Sequence, residues 1–208
     1  MTDERIIIAI YGGTASGKTT LAESIRKTNS DMFSVLPLDS YFKCNAYRSA
    51  SEIRDYNFDH PDAMDFDLFA LDLEYCKNEN VSSIETPIYD FKSASRLTQK
   101  QEIKLNKIIL IEGILCLHTE EVRKLIDYSI FVDTPDNVRF NRKMNRDIIE
   151  RGRTKEHVID DWKKYAIPMH DKFCEPTKVY AQKIIDGTNI TKSEIVALSE
   201  EIIKFSSS

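Results

Sequence analysis

Apolar and polar positions alternate along this chain with two different periods. Short apolar runs, which predict strands, cover residues 6–11, 33–36, 107–111, 128–132 and 183–185. Longer segments between them have the 3.6-residue period of helices. Because runs such as IIIAI and IILI contain no polar positions, both faces of these strands are expected to be covered. The pattern predicts an α/β fold, with a central parallel sheet of about five strands flanked by helices.

The predicted helices cover residues 18–27, 64–77, 120–125, 135–150, 156–173 and 192–205. Two of them have start signals in the sequence. Pro135 falls in the first turn of one helix, and Thr191 with Glu194 forms a capping box at the start of the last.

One segment interrupts the alternation of strand and helix. Residues 83–91 and 96–105 both have strand character, and only the turn Lys92-Ser93-Ala94-Ser95 separates them. We predict an antiparallel β-hairpin over residues 83–105 that projects from the sheet as a small lobe. No internal repeat or Gly/Ser linker marks a second domain, so residues 1–208 are predicted to form a single domain.

Composition narrows the functional classes. The 208 residues include 29 basic and 34 acidic side chains, a formal charge of −5. This mild acidity argues against nucleic-acid binding through bulk charge, for which a pI above about 9 is usual. No apolar run approaches the roughly 18 residues of a membrane span, and the acidic start Met1-Thr2-Asp3-Glu4 does not resemble a secretory leader. We expect a cytoplasmic protein with no nucleic-acid or membrane partner.

The cysteines are Cys44, Cys76, Cys116 and Cys174, and they form no CxxC pair. Neither a zinc site nor a redox motif is indicated, and we expect buried free thiols.

A phosphate-binding motif follows the first predicted strand. The run Gly12-Gly13-Thr14-Ala15-Ser16-Gly17-Lys18-Thr19 fits G-x-x-x-x-G-K-[ST], the Walker A motif, and Thr20 extends the predicted nucleotide site into the helix. Glycines let successive backbone N–H groups face phosphate oxygens at the positive end of that helix. Lys18 is expected to reach the β and γ phosphates, and the Thr19 hydroxyl to ligate Mg²⁺. The motif predicts a P-loop NTPase fold.

A P-loop alone does not distinguish a kinase from a GTPase or an ATPase. The guanine motif NKxD fails at the last position of Asn106-Lys107-Ile108-Ile109, and no DxxG switch motif is present. A guanine-nucleotide switch is therefore disfavoured.

Three acidic residues follow predicted strands, at the edge where an α/β sheet binds ligands. Asp39 follows the second strand and could accept a hydroxyl proton. Glu112 occupies the Walker B position, where a carboxylate beside Thr19 would complete the Mg²⁺ shell, and Asp133 is a rival for that role. By position alone, these carboxylates could instead cap loops.

Basic residues are concentrated between positions 139 and 153. They are Arg139, Arg142, Lys143, Arg146, Arg151 and Arg153, and the first four follow helical spacing. A charge run is usually a solvated helix face. Here Gly152 provides a hinge, which favours a mobile helical lid over residues 146–172. Its arginines would neutralise a transferring phosphoryl group and close the site against water.

Together these residues resemble the uridine kinase (uridine-cytidine kinase) family of P-loop phosphotransferases over nearly the whole chain. Besides the P-loop, the resemblance rests on DSYF from Asp39, NFDHPDA from Asn57, PIYDF from Pro87, EGIL from Glu112, FVDT from Phe131, RDIIERGR from Arg146 and PTKVYA from Pro176. The runs NFDHPDA and ERGR are specific to this family in a way that the P-loop is not.

The resemblance implies transfer of the γ-phosphoryl group of ATP or GTP to the 5′-hydroxyl of uridine or cytidine. It implies that Asp39 is the base facing that hydroxyl, and that Thr19, Glu112 and Asp39 hold Mg²⁺. Members of the family are often tetramers, so a homo-oligomer is expected.

The resemblance also assigns the substrate contacts. Asp59 would bind the ribose hydroxyls, and Tyr89 and Phe91 would line the base pocket. The lid on the triphosphate would be formed by Arg146, Arg151 and Arg153.

Four positions around the acceptor depart from the family pattern. Ala94 stands where the family usually has a histidine that reads the pyrimidine edge, and Phe42 stands in place of a substrate tyrosine. Lys143 replaces an arginine, which keeps the charge but loses the planar fork, and Asp161 replaces a glutamine. We expect relaxed or shifted base selectivity, caused by Ala94 and Phe42.

Two other functions stay open at this point. A related P-loop kinase could act on another small alcohol, such as a sugar phosphate or pantothenate, although Asp59 within NFDHPDA favours a ribonucleoside. A nucleotide-binding module without catalysis is disfavoured, since the expected base, metal ligands and lid arginines are all present.

Overall fold

The structure, a computed structural model, describes residues 5–78 and 80–207. Its strands are β1 (Ile6–Tyr11), β2 (Phe33–Pro37), β3 (Ser83–Asp90), β4 (Ser95–Lys104), β5 (Ile108–Gly113), β6 (Tyr128–Asp133) and β7 (Lys183–Asp186). Its α-helices are α1 (Lys18–Thr28), α2 (Ala50–Arg54), α3 (Phe66–Lys77), α4 (Glu120–Arg123), α5 (Asp136–Ile149), α6 (Lys155–Asp161), α7 (Ile167–Met169) and α8 (Lys192–Phe205). Five strands form one parallel sheet in the order β2-β5-β1-β6-β7, which confirms the predicted α/β fold.

Both faces of this sheet are covered, as the uninterrupted apolar strands predict. In β1, Ile7 and Ala9 belong to one core with α3, whereas Ile8 and Ile10 belong to a second core with α1 and α8. All four side chains are fully buried. Burial of an aliphatic side chain contributes about 1.5 to 3 kcal/mol, so the two cores fix β1 firmly between its neighbours.

The parallel strands bring their carboxyl ends to one edge of the sheet. Glu112 in β5 lies opposite Ile10 of β1 on one side and Pro37 of β2 on the other. The P-loop leaves β1 at this edge, and a short 3₁₀ turn, Leu38–Tyr41, leaves β2. Residues far apart in sequence are thereby placed around one crevice.

The predicted hairpin is present. Strands β3 and β4 form a separate antiparallel pair, with Tyr89 opposite Arg96. Asp90 closes the turn by accepting bonds from the backbone N–H groups of Lys92 and Ser93 at 3.1 and 3.2 Å. At the base of the hairpin, the Ser34 hydroxyl donates to the Lys104 carbonyl at 2.7 Å, which links it to β2.

Helix boundaries differ from the prediction at several ends; α3, for example, begins at Phe66 rather than at residue 64. The helix expected over residues 156–173 begins as α6 and continues through π-helical turns, Trp162–Ala166 and His170–Cys174, on either side of α7. Helix α4 ends at Arg123 rather than at residue 125. The short helix α2, which starts with a capping box between Ser49 and Glu52, was not predicted.

The cysteine prediction is wrong at one position. Cys76, Cys116 and Cys174 are buried free thiols, but Cys44 is exposed. None of the helices in the described part of the chain has both the length and the hydropathy that a membrane span requires.

Candidate active site

The P-loop has the backbone conformation that its glycines permit. Gly12 and Gly17 have φ values of +152° and +103°, and Ala15 also lies in the left-handed region at +59°. A Cβ on Gly12 would lie 2.4 Å from the carbonyl oxygen of Val132, so β6 leaves no room for a side chain there. Helix α1 starts directly after Gly17 and directs its N-terminal N–H groups into the loop.

Thr134, just before α5, and Arg142, within α5, bond to the backbone of the P-loop. The Ser16 carbonyl accepts bonds from Thr134 Oγ1 at 2.9 Å and from Arg142 Nη1 at 3.0 Å. Arg142 also donates to the carbonyls of Gly187 and Thr188, at 2.9 and 2.7 Å. One arginine therefore joins the P-loop to the loop that follows β7.

A hydroxyl and a carboxylate meet beside Lys18. Thr19 Oγ1 donates to Glu112 Oε2 at 2.9 Å, and both Lys18 and Glu112 are buried. Burial raises the pKa of Glu112 to about 7, although the Lys18 ammonium opposes this shift. Asp133, the rival at the end of β6, instead accepts a bond from Lys178 at 2.8 Å and lies outside this group.

Two cavities meet at this edge of the sheet. The larger, of about 830 Å³, extends from the P-loop past Arg142 to Thr188, Asn189 and Ile190. The smaller, of about 80 Å³, extends toward the hairpin and the residues around Asp59. The walls that both cavities share are Lys18, Thr19, Asp39, Tyr89, Phe91, Arg146 and Arg151.

Aromatic rings form one end of the smaller cavity. Phe42 lies at their centre, with its ring centroid 5.2 Å from Tyr89, 5.8 Å from Phe58 and 6.0 Å from Phe91. Tyr89 is held from outside by Asn45, whose amide lies 3.5 Å from the phenol oxygen. Such a box offers flat apolar faces to a planar ligand.

Carboxylates and cations form the other end. Asp59 is half-buried, and its removal from water raises its pKa, although the Lys143 ammonium opposes this. Arg153 forms an ion pair with Asp161 at 2.5 Å, and His157 contacts the same carboxylate at 3.1 Å. The smaller cavity is therefore apolar at one end and able to bind hydroxyl groups at the other.

Two cations of the basic stripe of α5 bind a buried carboxylate. Asp147 is fully buried and accepts bonds from Lys143 Nζ at 2.7 Å and from Arg146 Nε at 2.8 Å. Arg151 Nη1 lies 3.4 Å from the same carboxylate. Burial would raise the pKa of Asp147, but these three cations outweigh it and lower the value to about 2.

The segment that follows α5 also touches the hairpin. The guanidinium carbon of Arg151 lies 4.2 Å from the centre of the Phe91 ring, a cation–π contact between the two parts. The next residue, Gly152, has a φ of +65° with open space around it.

Most of the residues predicted from sequence lie together. Those lining one or both cavities are Thr14, Ala15, Gly17, Lys18, Thr19, Thr20, Asp39, Phe42, Asp59, Tyr89, Phe91, Glu112, Lys143, Arg146, Arg151, Arg153 and Asp161. Gly12, Gly13 and Ser16 lie in the loop behind this surface. Ala94 is not among the lining residues: it is buried in the hairpin turn with a φ of +51°.

The prediction missed other members of the site. Tyr56, Phe58 and Tyr165 line the smaller cavity, and Thr188, Asn189 and Ile190 line the larger. Phe58 belongs to the NFDHPDA run and could have been found there. The loop after β7 carries no motif that singles it out.

The cavity that contains the phosphate-binding loop and the second, smaller cavity share lining residues, among them Lys18, Asp39 and two arginines. This arrangement is that of a P-loop kinase, in which donor and acceptor meet end to end and cations surround the transferred group. The chain belongs to the phosphoribulokinase/uridine kinase family, whose model matches residues 7–193.

Similar proteins agree with this membership. A uridine kinase from Clostridium novyi (strain NT) is 42% identical over 181 residues, which cover 86% of each chain. A uridine kinase from Clostridium perfringens is 41% identical over 202 residues, covering 95% of this chain and 96% of the relative. A solved structure named as a possible uridine kinase from Bacillus stearothermophilus has a TM-score of 0.63, 20% identity and coverage of 89% and 91%, and supports the fold alone.

Proposed function

We propose that this protein is a nucleoside kinase that transfers the γ-phosphoryl group of ATP or GTP to the 5′-hydroxyl of uridine or cytidine. The observation that carries the proposal is the position of Asp39, which lines both cavities among the residues they share. A carboxylate there faces a bound hydroxyl from one side while the P-loop presents the phosphate from the other. The identity of 41 to 42% with proteins named uridine kinase supports the same acceptor class.

On this proposal, the acceptor occupies the smaller cavity. Its base stacks among Phe42, Tyr89 and Phe91, and its ribose hydroxyls bind Asp59. Ala94 is buried in the hairpin turn outside both cavities and offers the nucleobase no hydrogen bond, so stacking among these rings carries the recognition. Uridine and cytidine should therefore be used with similar efficiency.

The donor occupies the larger cavity, with its phosphates in the P-loop. Lys18 and the shared arginines neutralise charge on the transferred group, and Asp39 accepts the proton of the attacking hydroxyl. Transfer is direct and in line, with no covalent enzyme intermediate, and positioning supplies most of the rate. As a kinase of small nucleosides, the protein would act in pyrimidine salvage in the cytoplasm.

Mg²⁺ fits the donor set beside the P-loop. Thr19 Oγ1 and Glu112 Oε2 are hard oxygen donors 2.9 Å apart, and Asp39 lines the same cavity. The described residues contain no cluster of three or more His, Cys, Asp or Glu that could cage an ion. Mg²⁺ keeps several waters and takes substrate phosphate oxygens as ligands, so it needs few ligands from the protein. When bound, it would neutralise phosphate charge.

The proposal is tested by Mg²⁺-dependent ADP release from ATP across a panel of acceptors. The panel contains uridine, cytidine, their 2′-deoxy forms, ribulose 5-phosphate and pantothenate, together with a reaction without acceptor. We expect release with the two ribonucleosides, and less with the 2′-deoxy forms because the Asp59 carboxylate would lose a hydroxyl partner. Release with ribulose 5-phosphate or pantothenate alone would contradict the proposed acceptor.

Two variants test whether Asp39 is the general base. Asp39→Asn should lower turnover by about 10² to 10⁴, the usual contribution of a general base. Asp133→Asn is the matched control, because it changes a carboxylate at the end of another strand of the same sheet, β6, that lies outside both cavities. Unchanged turnover in Asp39→Asn would show that another residue is the general base.

A further inference from the structure

Arg96, at the start of β4, carries a guanidinium that binds the loop after β2. Its Nε donates to the Phe42 carbonyl at 2.7 Å, and its Nη2 donates to the Tyr41 carbonyl at 3.0 Å. Nη2 also lies 3.0 Å from Asp65 Oδ2. The side chain is 21% exposed, so these contacts are partly shielded from water.

The two carbonyls belong to the segment that forms the acceptor end of the site. Tyr41 ends the 3₁₀ turn that contains Asp39, and Phe42 is the central ring of the aromatic box. Asp65 fixes the same segment from the other side, because its backbone N–H donates to the Tyr41 carbonyl at 2.9 Å. Arg96 thus joins the hairpin to the loop that bears both Phe42 and Asp39.

The hairpin needs such a link. Strands β3 and β4 are a two-stranded sheet of their own, and an isolated pair of strands is only marginally stable in water. Tyr89 lies directly opposite Arg96 in the hairpin register, and Phe91 follows two residues later in the chain. The guanidinium therefore sets the distance between the two rings on the hairpin, Tyr89 and Phe91, and the central ring on the loop, Phe42.

We propose that Arg96 is a positioning residue for base selection: it holds Phe42 against Tyr89 and Phe91, and so fixes the width of the slot for the acceptor's base. This inference rests on the proposed function. Both bonds to the loop come from one planar fork, whose geometry a lysine does not reproduce. Without the fork, the slot widens, the acceptor binds less firmly and larger bases are better tolerated.

The test compares Arg96→Lys and Arg96→Met with the unmodified enzyme. We expect kcat/KM for uridine to fall by roughly 10²-fold, the cost typical of a displacement of about 1 Å near a reacting group. The ratio of kcat/KM for uridine to that for inosine, a purine ribonucleoside with a larger base, should fall as well. The ratio of uridine to 2′-deoxyuridine should stay constant, because Asp59 is untouched, and KM for ATP should not change.

Lys100→Met is the matched control. Lys100 lies on the same strand as Arg96, is well exposed and forms an ion pair with Glu85 at 3.9 Å. Its replacement should leave all four quantities unchanged. Asp65→Asn is a second variant, since it removes the ion pair but keeps both carbonyl bonds of Arg96 and a side chain able to cap α3. It should shift the uridine to inosine ratio in the same direction by a smaller factor.

A purely structural role would lower the thermal midpoint of the Arg96 variants and leave KM for uridine and the uridine to inosine ratio unchanged. That result, obtained with an unmodified enzyme that phosphorylates uridine, would overturn the inference alone. An unmodified enzyme that phosphorylates no nucleoside would overturn the proposed function and this inference with it. If Arg96→Met does not fold, Arg96→Lys and Asp65→Asn decide the question.

Discussion

Replacing Asp147 by asparagine removes the charge around which Lys143, Arg146 and Arg151 are arranged. Asp147 is fully buried and faces three cations, of which Lys143 is also buried. Asparagine has nearly the same shape, so the change deletes the charge and leaves the packing. The Lys143 ammonium then stays in the interior without its ion-pair partner.

The size of the effect follows from the electrostatics of the site. The pKa of Asp147 is about 2 in the folded protein, against an ordinary value of 3.8, despite a burial penalty that acts in the opposite direction. At roughly 1.4 kcal/mol per pKa unit, the ionised form gains about 2 to 3 kcal/mol from folding. Breaking a buried pair by removing one partner costs about 3 to 5 kcal/mol. We expect the free energy of unfolding at pH 7 to fall by about 3 kcal/mol.

The pH dependence of the free energy of unfolding gives an independent check that the Asp147 charge is stabilising. Because the folded pKa lies below the unfolded one, this stabilisation is present above pH 4 and is lost as the pH falls from about 4 to about 2. The asparagine variant has no such group to titrate. The difference in stability between the two proteins should therefore shrink across that window.

The assay is urea unfolding of both proteins at pH 7 and at pH 3, with Lys143→Met and the double variant completing a cycle. The double variant should be more stable than Asp147→Asn, since it no longer buries an unpaired ammonium. A loss below about 1 kcal/mol at pH 7, or an equal difference at both pH values, would refute the reasoning.

Three further changes test other parts of the site. Gly13→Ala would place a Cβ 2.5 Å from the guanidinium of the buried Arg139, so ADP affinity measured by calorimetry should fall together with the thermal midpoint. Tyr41→Phe removes a 2.7 Å bond to Asp72, and the free energy of unfolding in urea should fall by about 1 kcal/mol because Asp72 is only half-buried and water can replace the phenol. Asp59→Asn should reduce the preference for uridine over 2′-deoxyuridine in kcat/KM, and an unchanged ratio would remove Asp59 from ribose recognition.

The features that sequence predicted correctly are those with a local pattern. The five sheet strands are short apolar runs, the hairpin is two strands around a turn, and the capping box at Thr191 has its two residues three positions apart. The pairing of Thr19 with Glu112 could also be predicted from sequence, although these residues are far apart in the chain. Parallel strands end at one edge, so two strand-end motifs had to meet there.

The features that were missed depend on contacts between distant segments. Asp147 lies among basic residues in the sequence, and nothing there shows that it is buried and surrounded by three of them. Arg96 follows a turn, and only the docked hairpin shows that its partners are the carbonyls of residues 41 and 42. Ala94 was expected beside the nucleobase of the acceptor because of its place in a motif. The left-handed turn instead buries it away from both cavities.

The basic stripe of α5 shows why charge spacing alone is a weak guide to function. Helical spacing suggested one positive face, but the structure divides the residues between different partners. Arg139 is buried beside Gly13, Arg142 binds the Ser16 carbonyl, and Arg146 binds Asp147. Each of these cations is thus held by a carbonyl or carboxylate of the protein itself. On the proposed function, Arg146 is the fixed charge of this stripe that lines both cavities. Fixed charges stabilise a developing anion without reorganisation, as phosphoryl transfer requires.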